Sequence, residues 1–286
     1  MRDAAMDKKT VHSDREIFRT RPNMAVIIAL LSGSGGTGKT TLLACMGGAL
    51  AREGKRALVI DLCAGARGLD LPLGLESRAA FDLGDLLSGG CDEGQAVISD
   101  STRPCPDFIA APLDRDSIGI DAAALSELLE KLRPKYDWIA LDAPSGVGAG
   151  SMLAALVADR VIVVTIPENA SVRAAERALE SVRSPDRPEP LVIINKLNPS
   201  FAASGAHLTP DAVAQTLDAK LIGVVLYDET LARAAALGRV LGPYERSPGF
   251  RAAETIADRT LGAASPKRWI VNRRALFASG AIKEEW

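Results

Sequence analysis

The sequence predicts a single three-layer α/β domain in which a mostly parallel, twisted sheet is covered by helices on both faces. Short apolar runs rich in β-branched residues alternate with helical patterns along most of the chain. These runs are nearly continuous in apolar character, which is typical of parallel strands buried on both faces. Strands that alternate with helices form parallel sheets, because each return to the same edge needs a crossover.

The predicted strands occupy 25–31, 56–60, 108–111, 138–141, 160–166, 191–194 and 221–225. The clearest helical patterns lie at 40–51, 122–132, 171–182 and 210–217. Neither a second apolar core nor an internal repeat is visible, so we assign one domain to residues 24–263. Residues 1–23 are polar and charged, which indicates a flexible tail and excludes a secretory signal. Residues 264–286 form a separate basic and apolar segment.

The composition narrows the class of protein. Apolar residues make up 47% and charged residues 24% of the 286, and the formal charge is −2. That balance gives no general attraction to nucleic acid, which we do not expect as a partner. No run approaches the roughly 18 apolar residues that cross a bilayer. The four cysteines show no C-x-x-C spacing, which favours reduced thiols in the cytoplasm over disulfides or a metal site.

A glycine-rich loop lies between the first predicted strand and the first predicted helix. It fits the pattern G-x-x-x-x-G-K-[ST] and consists of Gly33, Ser34, Gly35, Gly36, Thr37, Gly38, Lys39 and Thr40, followed by Thr41. The glycines let backbone N–H groups turn toward phosphate oxygens, and the helix adds its positive N-terminal end. Lys39 is expected to contact the β- and γ-phosphates, and the Thr40 hydroxyl to ligate Mg²⁺. The loop therefore predicts a nucleoside triphosphate with magnesium.

Two aspartates at predicted strand ends complete the candidate site. Asp142 ends the run "WIALD", where a carboxylate can hold the metal through its water shell. Asp61 closes "RALVID" and is a second candidate, although a turn or helix-capping aspartate also fits that position. Gly146 follows in a glycine-rich turn, where its amide would sense the γ-phosphate. We predict catalytic roles for Lys39, Asp61 and Asp142. Thr40 joins the two aspartates as a predicted metal ligand.

Five blocks in a fixed order carry a family resemblance. They are "SGSGGTGKTT", "LVIDLCAGARGLDLPLG", "DAPSGVGAGSMLAALVADRVIVVTIPENASVRAAERAL", "INKLNPSFAASGAHLTPDAV" and "KLIGVVLYDETLARAAALG". From about residue 24 to 262 the chain resembles the MinD-type division-site ATPases of the MinD/ParA group of P-loop proteins. The resemblance implies binding of ATP and Mg²⁺, a homodimer formed face to face around two nucleotides, and a division or positioning regulator as partner. It also places Asn195 and Asp228 where the family holds adenine.

Three departures from the family pattern bear on activity. The signature lysine, which reaches across the dimer to the partner's phosphates, is replaced by Ser34. Cys63 replaces an aspartate that helps to place the attacking water, and Gly68 replaces an asparagine in the same segment. In the adenine region, Leu226 replaces the usual proline. A charged hydrogen bond is worth about 1.5–3 kcal/mol. Arginine fingers, which stabilise phosphate charge in a similar way, raise the rate roughly 10³–10⁵-fold. We therefore expect ATP to bind, pairing to be weaker, and hydrolysis to be slow or absent.

The C-terminal segment "KRWIVNRRALFASGAIKEEW", residues 267–286, has two interpretations. Trp269, Ile270, Leu276 and Phe277 share one face of a helical wheel, with Arg273 in its middle. Basic and bulky apolar residues at a chain end form interfacial membrane helices, and arginine can extend its charge to the surface. Such a helix would make this cytoplasmic protein peripheral on the inner face of the cell membrane. A docked terminal helix or a disordered tail is the other interpretation.

The sequence leaves several functions open. The first is a MinD-like switch that recruits a partner to the membrane for septum placement or similar positioning. The second is a nucleotide-binding adaptor without hydrolysis, which Ser34 and Cys63 favour. The third is a ParA-like partition or flagellar-number protein, which needs a basic DNA-binding surface that no dense Lys/Arg run provides. An iron–sulfur relative is disfavoured, because Cys91 and Cys105 have no cluster-bridging spacing.

Overall fold

The computed structural model describes residues 24–113, 120–241 and 247–262. Its centre is one seven-stranded sheet with the order β3-β2-β4-β1-β5-β6-β7. The strands are β1 Val26–Leu31, β2 Ala57–Asp61, β3 Asp107–Ile109, β4 Trp138–Asp142, β5 Arg160–Thr165, β6 Leu191–Leu197 and β7 Leu221–Leu226. Every neighbouring pair in the sheet is parallel.

Helices connect these strands. They are α1 Lys39–Arg52, α2 Asp70–Leu73, α3 Leu83–Leu87, α4 Glu93–Ala96, α5 Ala122–Leu132, α6 Ala149–Val157, α7 Asn169–Val182, α8 Pro199–Ala203, α9 Pro210–Leu217, α10 Glu229–Ala236 and α11 Pro248–Thr260. The last described helix therefore ends close to the predicted domain boundary at 263. That boundary stays a prediction, and so do the tail 1–23 and the segment 264–286, which lie outside the described residues.

Two apolar cores cover the two faces of the sheet. In β1, Ile27, Ala29 and Leu31 face a core shared with α5, α6, α7 and α9. The alternate residues of the same strand face a second core, which holds α1 and α11 and the buried rings of Trp138, Phe108 and Phe250. Because successive strand residues point to opposite faces, a strand covered on both sides must be apolar throughout. The predicted three-layer α/β fold is confirmed.

The strand order decides where a ligand can lie. β1 sits between β4 and β5. Strands β2 to β4 lie on one side of β1, and strands β5 to β7 lie on the other, so the strand order reverses direction at β1. Open α/β sheets bind ligands in the crevice beyond the carboxyl ends of the strands at such a switch point. β2 and β4 are in register there, with Asp61 directly beside Asp142. The fold thus brings the predicted loop and both predicted aspartates to one edge.

Candidate functional site

The loop between β1 and α1 has a shape that only glycine allows at three positions. Gly36 and Gly38 have φ of 75° and 87°, in the left-handed region that L side chains rarely adopt. Gly33 lies against α7, and a Cβ there would sit 1.9 Å from the carbonyl oxygen of Ala174. Gly38 is also the N-cap of α1, so the positive end of a 14-residue helix opens into the loop. Gly35 is exposed, and Thr41 is half-buried in the first helical turn.

The side chain of Lys39 is buried and reaches back to Ser32, directly before the loop. It is 9% exposed, and its Nζ donates to Ser32 Oγ at 2.8 Å. The Ser32 hydroxyl in turn donates to the carbonyl of Ser34 at 2.8 Å. An ammonium has three N–H donors, and Ser32 accepts one of them. This geometry suits a lysine that contacts phosphate oxygens held by the same loop.

Thr40, Asp61 and Asp142 meet beside the loop. Thr40 Oγ1 donates to Asp142 Oδ2 at 2.6 Å. Asp61 is fully buried, and its carboxylate accepts from the N–H groups of Cys63 at 2.8 Å and Leu69 at 3.2 Å. Burial raises the pKa of Asp61, and burial together with the neighbouring Asp61 charge raises the pKa of Asp142 to about 7. Two buried carboxylates this close repel each other, and a bound cation would relieve that repulsion.

A buried oxygen without a partner tests whether a divalent cation fits here. Asp142 Oδ1 is buried and accepts no hydrogen bond. Ligand atoms of Asp61, Cys63 and Asp142 all lie within 4.8 Å of one another. Mg²⁺ prefers carboxylate, hydroxyl and water oxygens, which Thr40 and the two aspartates supply. The residues therefore fit magnesium. Burial and the two aspartate charges raise the pKa of Cys63, which stays a neutral thiol and a weak ligand.

The segment after Asp142 also contacts the start of the loop region. The Gly146 N–H, which was predicted to sense a γ-phosphate, donates to the carbonyl of Ser32, the residue that precedes the loop, at 2.8 Å. Gly146 has φ of 93°, and α6 begins three residues later. Val147, Met152 and Leu156 on this turn and helix are exposed apolar side chains. We call these three residues the α6 apolar patch.

The predicted adenine residues lie at the same edge but make different contacts. Asn195 Nδ2 donates to the Thr37 carbonyl at 2.8 Å, and Asn195 Oδ1 accepts from the N–H of the next residue at 2.9 Å. Asp228 caps α10 by accepting from the Leu231 N–H at 3.2 Å, and it also accepts from the Gly249 N–H at 2.9 Å. In the described state Asn195 thus holds the loop and Asp228 joins α10 to α11. Their predicted role toward adenine remains a prediction.

Ser34 is turned toward its own subunit. Its hydroxyl lies 3.5 Å from Ser171 Oγ in the first turn of α7, and Ser171 Oγ lies 3.0 Å from Thr165 Oγ1 at the end of β5. The three hydroxyls form a short chain from the loop to the sheet. The serine at this position thus makes only a long contact with α7, and its side chain carries no charge.

Sequence reasoning missed three residues that shape the site: Ser32, Ser171 and Lys196. Ser32 precedes the loop motif by one position and gave no separate signal. Ser171 is 137 residues from Ser34 and becomes its neighbour only when α7 packs on the loop. Lys196 donates from Nζ to the Gly36 carbonyl at 2.7 Å, and its position directly after Asn195 was the one signal available.

In the ranges described, no helix has both the length and the apolar character to span a membrane. All four cysteines lie in those ranges, and none forms a disulfide.

Comparison with known proteins agrees with this geometry. Residues 28–241 match the CobQ/CobB/MinD/ParA nucleotide binding domain. The septum site-determining protein MinD of Synechocystis sp. is 34% identical over 238 residues, which is 82% of this chain and 89% of that protein. The Aquifex aeolicus MinC:MinD cell division complex contains a similar chain with a TM-score of 0.77 and 32% identity, covering 86% of this chain and 99% of that one.

Pyrococcus horikoshii MinD, solved in complex with Mg-ADP, has a TM-score of 0.72 and 26% identity, covering 82% of this chain and 95% of its own. The match to the family, the sequence identity over most of the chain and the similarity of the folds support one assignment. The chain belongs to the CobQ/CobB/MinD/ParA nucleotide-binding family and, within it, to the MinD-type division-site ATPases.

Proposed function

We propose that this protein is a MinD-like switch that binds Mg-ATP, forms a homodimer with nucleotide, recruits a regulator to the membrane, and hydrolyses ATP slowly or not at all. The observation that carries the binding step is the pair formed by Thr40 and Asp142, beside an unpartnered carboxylate oxygen at the mouth of the phosphate loop. A hydroxyl, a buried acid and a buried lysine in this arrangement suit a polyphosphate bound with a divalent cation.

The roles follow from charge and position. The loop amides and Lys39 would hold the β- and γ-phosphates, since the N-terminal end of α1 and an ammonium both favour negative charge. Thr40, Asp61 and Asp142 would hold Mg²⁺, which when bound neutralises charge on the phosphate oxygens. The network of Thr40 and Asp142 thus ties the metal ligands to the start of α1.

Two features support slow hydrolysis. The Ser34 hydroxyl contacts Ser171 of its own chain and offers no charge to a second nucleotide. Cys63 lies where the family keeps a water-positioning aspartate, and its thiol is neutral because burial raises its pKa. A neutral thiol is a weak acceptor and orients an attacking water poorly. The two replacements thus remove the cation that would reach the second nucleotide and the carboxylate that would accept a hydrogen bond from the attacking water.

The same two replacements support a second candidate, an adaptor that binds nucleotide without hydrolysis. Turnover separates the two functions, because a switch must release phosphate to reset. The A. aeolicus relative was solved as a MinC:MinD complex, so a division regulator is a reasonable partner class for this chain. The α6 apolar patch begins at the turn that contacts Ser32, directly before the loop, so binding at the loop can change how this patch is presented.

Membrane recruitment is assigned to residues 267–286, which lie outside the described residues. Deleting them should abolish sedimentation of the ATP-bound protein with vesicles containing anionic lipid. Their basic side chains supply the electrostatic attraction to the lipid headgroups, and their apolar side chains supply the hydrophobic attraction to the bilayer. Deleting residues 1–23 is the control and should leave sedimentation unchanged. Equal sedimentation of both deletions with the full chain would remove the membrane step from the proposal.

The binding and pairing steps are tested together. We expect calorimetry to detect Mg-ATP binding to the full chain. Size-exclusion chromatography should show a larger dimer fraction with a nonhydrolysable ATP analogue than with ADP. Absence of any affinity for adenine nucleotides with Mg²⁺ would overturn the proposed function as a whole. A monomer with both nucleotides, despite measurable binding, would overturn the homodimer alone.

A further inference from the structure

We propose that Lys196 is a positioning residue that, together with Asn195, holds the phosphate loop in its phosphate-binding shape from outside the loop. The inference rests on the proposed nucleotide binding and extends it to a residue that lies outside the G-x-x-x-x-G-K-[ST] motif. It concerns the loop's affinity for polyphosphate, not recognition of the base.

The backbone of β6 is distorted where these two residues lie. Between Ile194 and Leu197 the strand advances three residues while β7 advances two, from Val224 to Leu226, which is a β-bulge. Lys196 has φ of 55°, in the left-handed region. A non-glycine residue there is held by its surroundings at a cost in strain, and such residues concentrate at functional sites. The bulge directs both neighbouring side chains to one place.

That place is the outer surface of the phosphate loop. Asn195 Nδ2 donates to the Thr37 carbonyl at 2.8 Å, and Lys196 Nζ donates to the Gly36 carbonyl at 2.7 Å. Two consecutive side chains of β6 therefore bind two consecutive carbonyls of the loop. A Cβ on Gly38 would lie 2.5 Å from Asn195 Nδ2 and 3.5 Å from Lys196 Cε, so the pair packs closely against the loop.

Peptide geometry converts these outer contacts into an effect on the inner side. In a planar trans peptide the C=O and the N–H point in opposite directions. Holding the carbonyls of Gly36 and Thr37 outward therefore turns the N–H groups of Thr37 and Gly38 to the opposite side, toward the phosphate position. Loops of this kind bind phosphate through these amides. Asn195 and Lys196 thus set the direction of two donors that the ligand uses.

Substitutions at Lys196 test whether its ammonium, through the Gly36 carbonyl, sets the affinity of the loop for ATP. Lys196→Met keeps the apolar stem and removes the ammonium, whereas Lys196→Arg keeps a donor that can reach a carbonyl. We expect calorimetry on the full chain with Mg²⁺ to show ATP binding about five- to tenfold weaker in Lys196→Met, the size of one partly exposed charged hydrogen bond. Lys196→Arg should restore most of the affinity. Lys131→Met, on the exposed face of α5, is the matched control and should bind as the unchanged protein does.

Lys196→Gly tests the same role without the left-handed strain. Glycine adopts this conformation freely, so the melting temperature of this variant should match or exceed that of the unchanged protein, while its affinity falls as in Lys196→Met. Affinity that is unchanged in both variants overturns the positioning role. A loss in Lys196→Gly with full affinity in Lys196→Met overturns it too, because the stem and not the ammonium would then matter. Failure of the unchanged protein to bind ATP would instead overturn the proposed function.

Discussion

Replacing Lys39 by methionine should reduce the affinity for Mg-ATP by about 100-fold or more, below detection by calorimetry. The substitution keeps the length of the side chain and removes the ammonium of a buried lysine, which is 9% exposed. Two charged contacts to phosphate oxygens at about 1.5–3 kcal/mol each account for a loss of this size. Each 1.4 kcal/mol corresponds to a factor of ten in affinity.

The fold should survive this substitution, which makes the measurement interpretable. Methionine is apolar and flexible, and it can fill the space of the lysine stem. The cost to the fold is confined to the Ser32 hydroxyl, which loses a donor at 2.8 Å but keeps its own bond to the Ser34 carbonyl. Lys55→Met, in the exposed turn after α1, is the matched control. ATP binding by Lys39→Met within a factor of about three of the unchanged protein would exclude the loop as the nucleotide site, since such a small difference is under 1 kcal/mol.

The strands were predictable because a strand that is buried on both faces is an almost unbroken run of apolar residues. β1 and β5 are apolar at nearly every position, and the predicted bounds differ from the observed ones by only one residue at one end. β6 was predicted to end at 194, but it continues to Leu197 through the bulge at Asn195 and Lys196. Because Asn195 and Lys196 are polar, the apolar pattern did not predict the last three residues of this strand. The irregularity that positions the loop is therefore the part of the strand that an apolar pattern cannot reveal.

Helices were predictable where apolar periodicity was strong. The predicted bounds of α5 and α9 match the structure. α6 starts inside the glycine-rich turn "SGVGAG", whose composition indicates a loop, and it is stabilised instead by packing of Ala154 and Ala155 in the core. α11 carried usable signals, a serine N-cap at Ser247 followed by Pro248, which sequence reasoning did not use.

The candidate site was predictable in its motif and not in its tertiary contacts. The loop glycines, Lys39 and the strand-end aspartates follow from local patterns, and the register of β2 with β4 brings Asp61 to Asp142. The contact of Ser34 with Ser171 spans 137 positions, and that of Lys196 with Gly36 spans 160. Such contacts depend on how α7 and β6 pack against the loop, and no local pattern encodes them.

Placing a lysine at position 34 and an aspartate at position 63 should raise the rate of ATP hydrolysis. Ser34→Lys alone should raise the dimer fraction with a nonhydrolysable ATP analogue, because a cation between two nucleotides offsets their mutual repulsion. The local cost is small, since the serine hydroxyl loses only a 3.5 Å contact with Ser171. Ser34→Met has a similar length without the charge and should leave the dimer fraction unchanged. An equal rise in Ser34→Met would mean that bulk and not charge drives pairing.

Adding Cys63→Asp to Ser34→Lys should raise ATP turnover on the order of 10³-fold over the unchanged chain. This is the lower end of what an arginine finger contributes to the rate of phosphoryl transfer. The new carboxylate would join Asp61 and Asp142, whose ligand atoms lie within 4.8 Å of the Cys63 sulfur. Three acids in one buried corner repel each other, so the double variant should melt at a lower temperature without Mg²⁺ and recover when Mg²⁺ is added. Phosphate release measured with and without Mg²⁺ gives the rate. If the unchanged chain already matched the double variant, Ser34 and Cys63 would not be what limits hydrolysis, and the chemistry would have to be supported by groups that lie within one subunit.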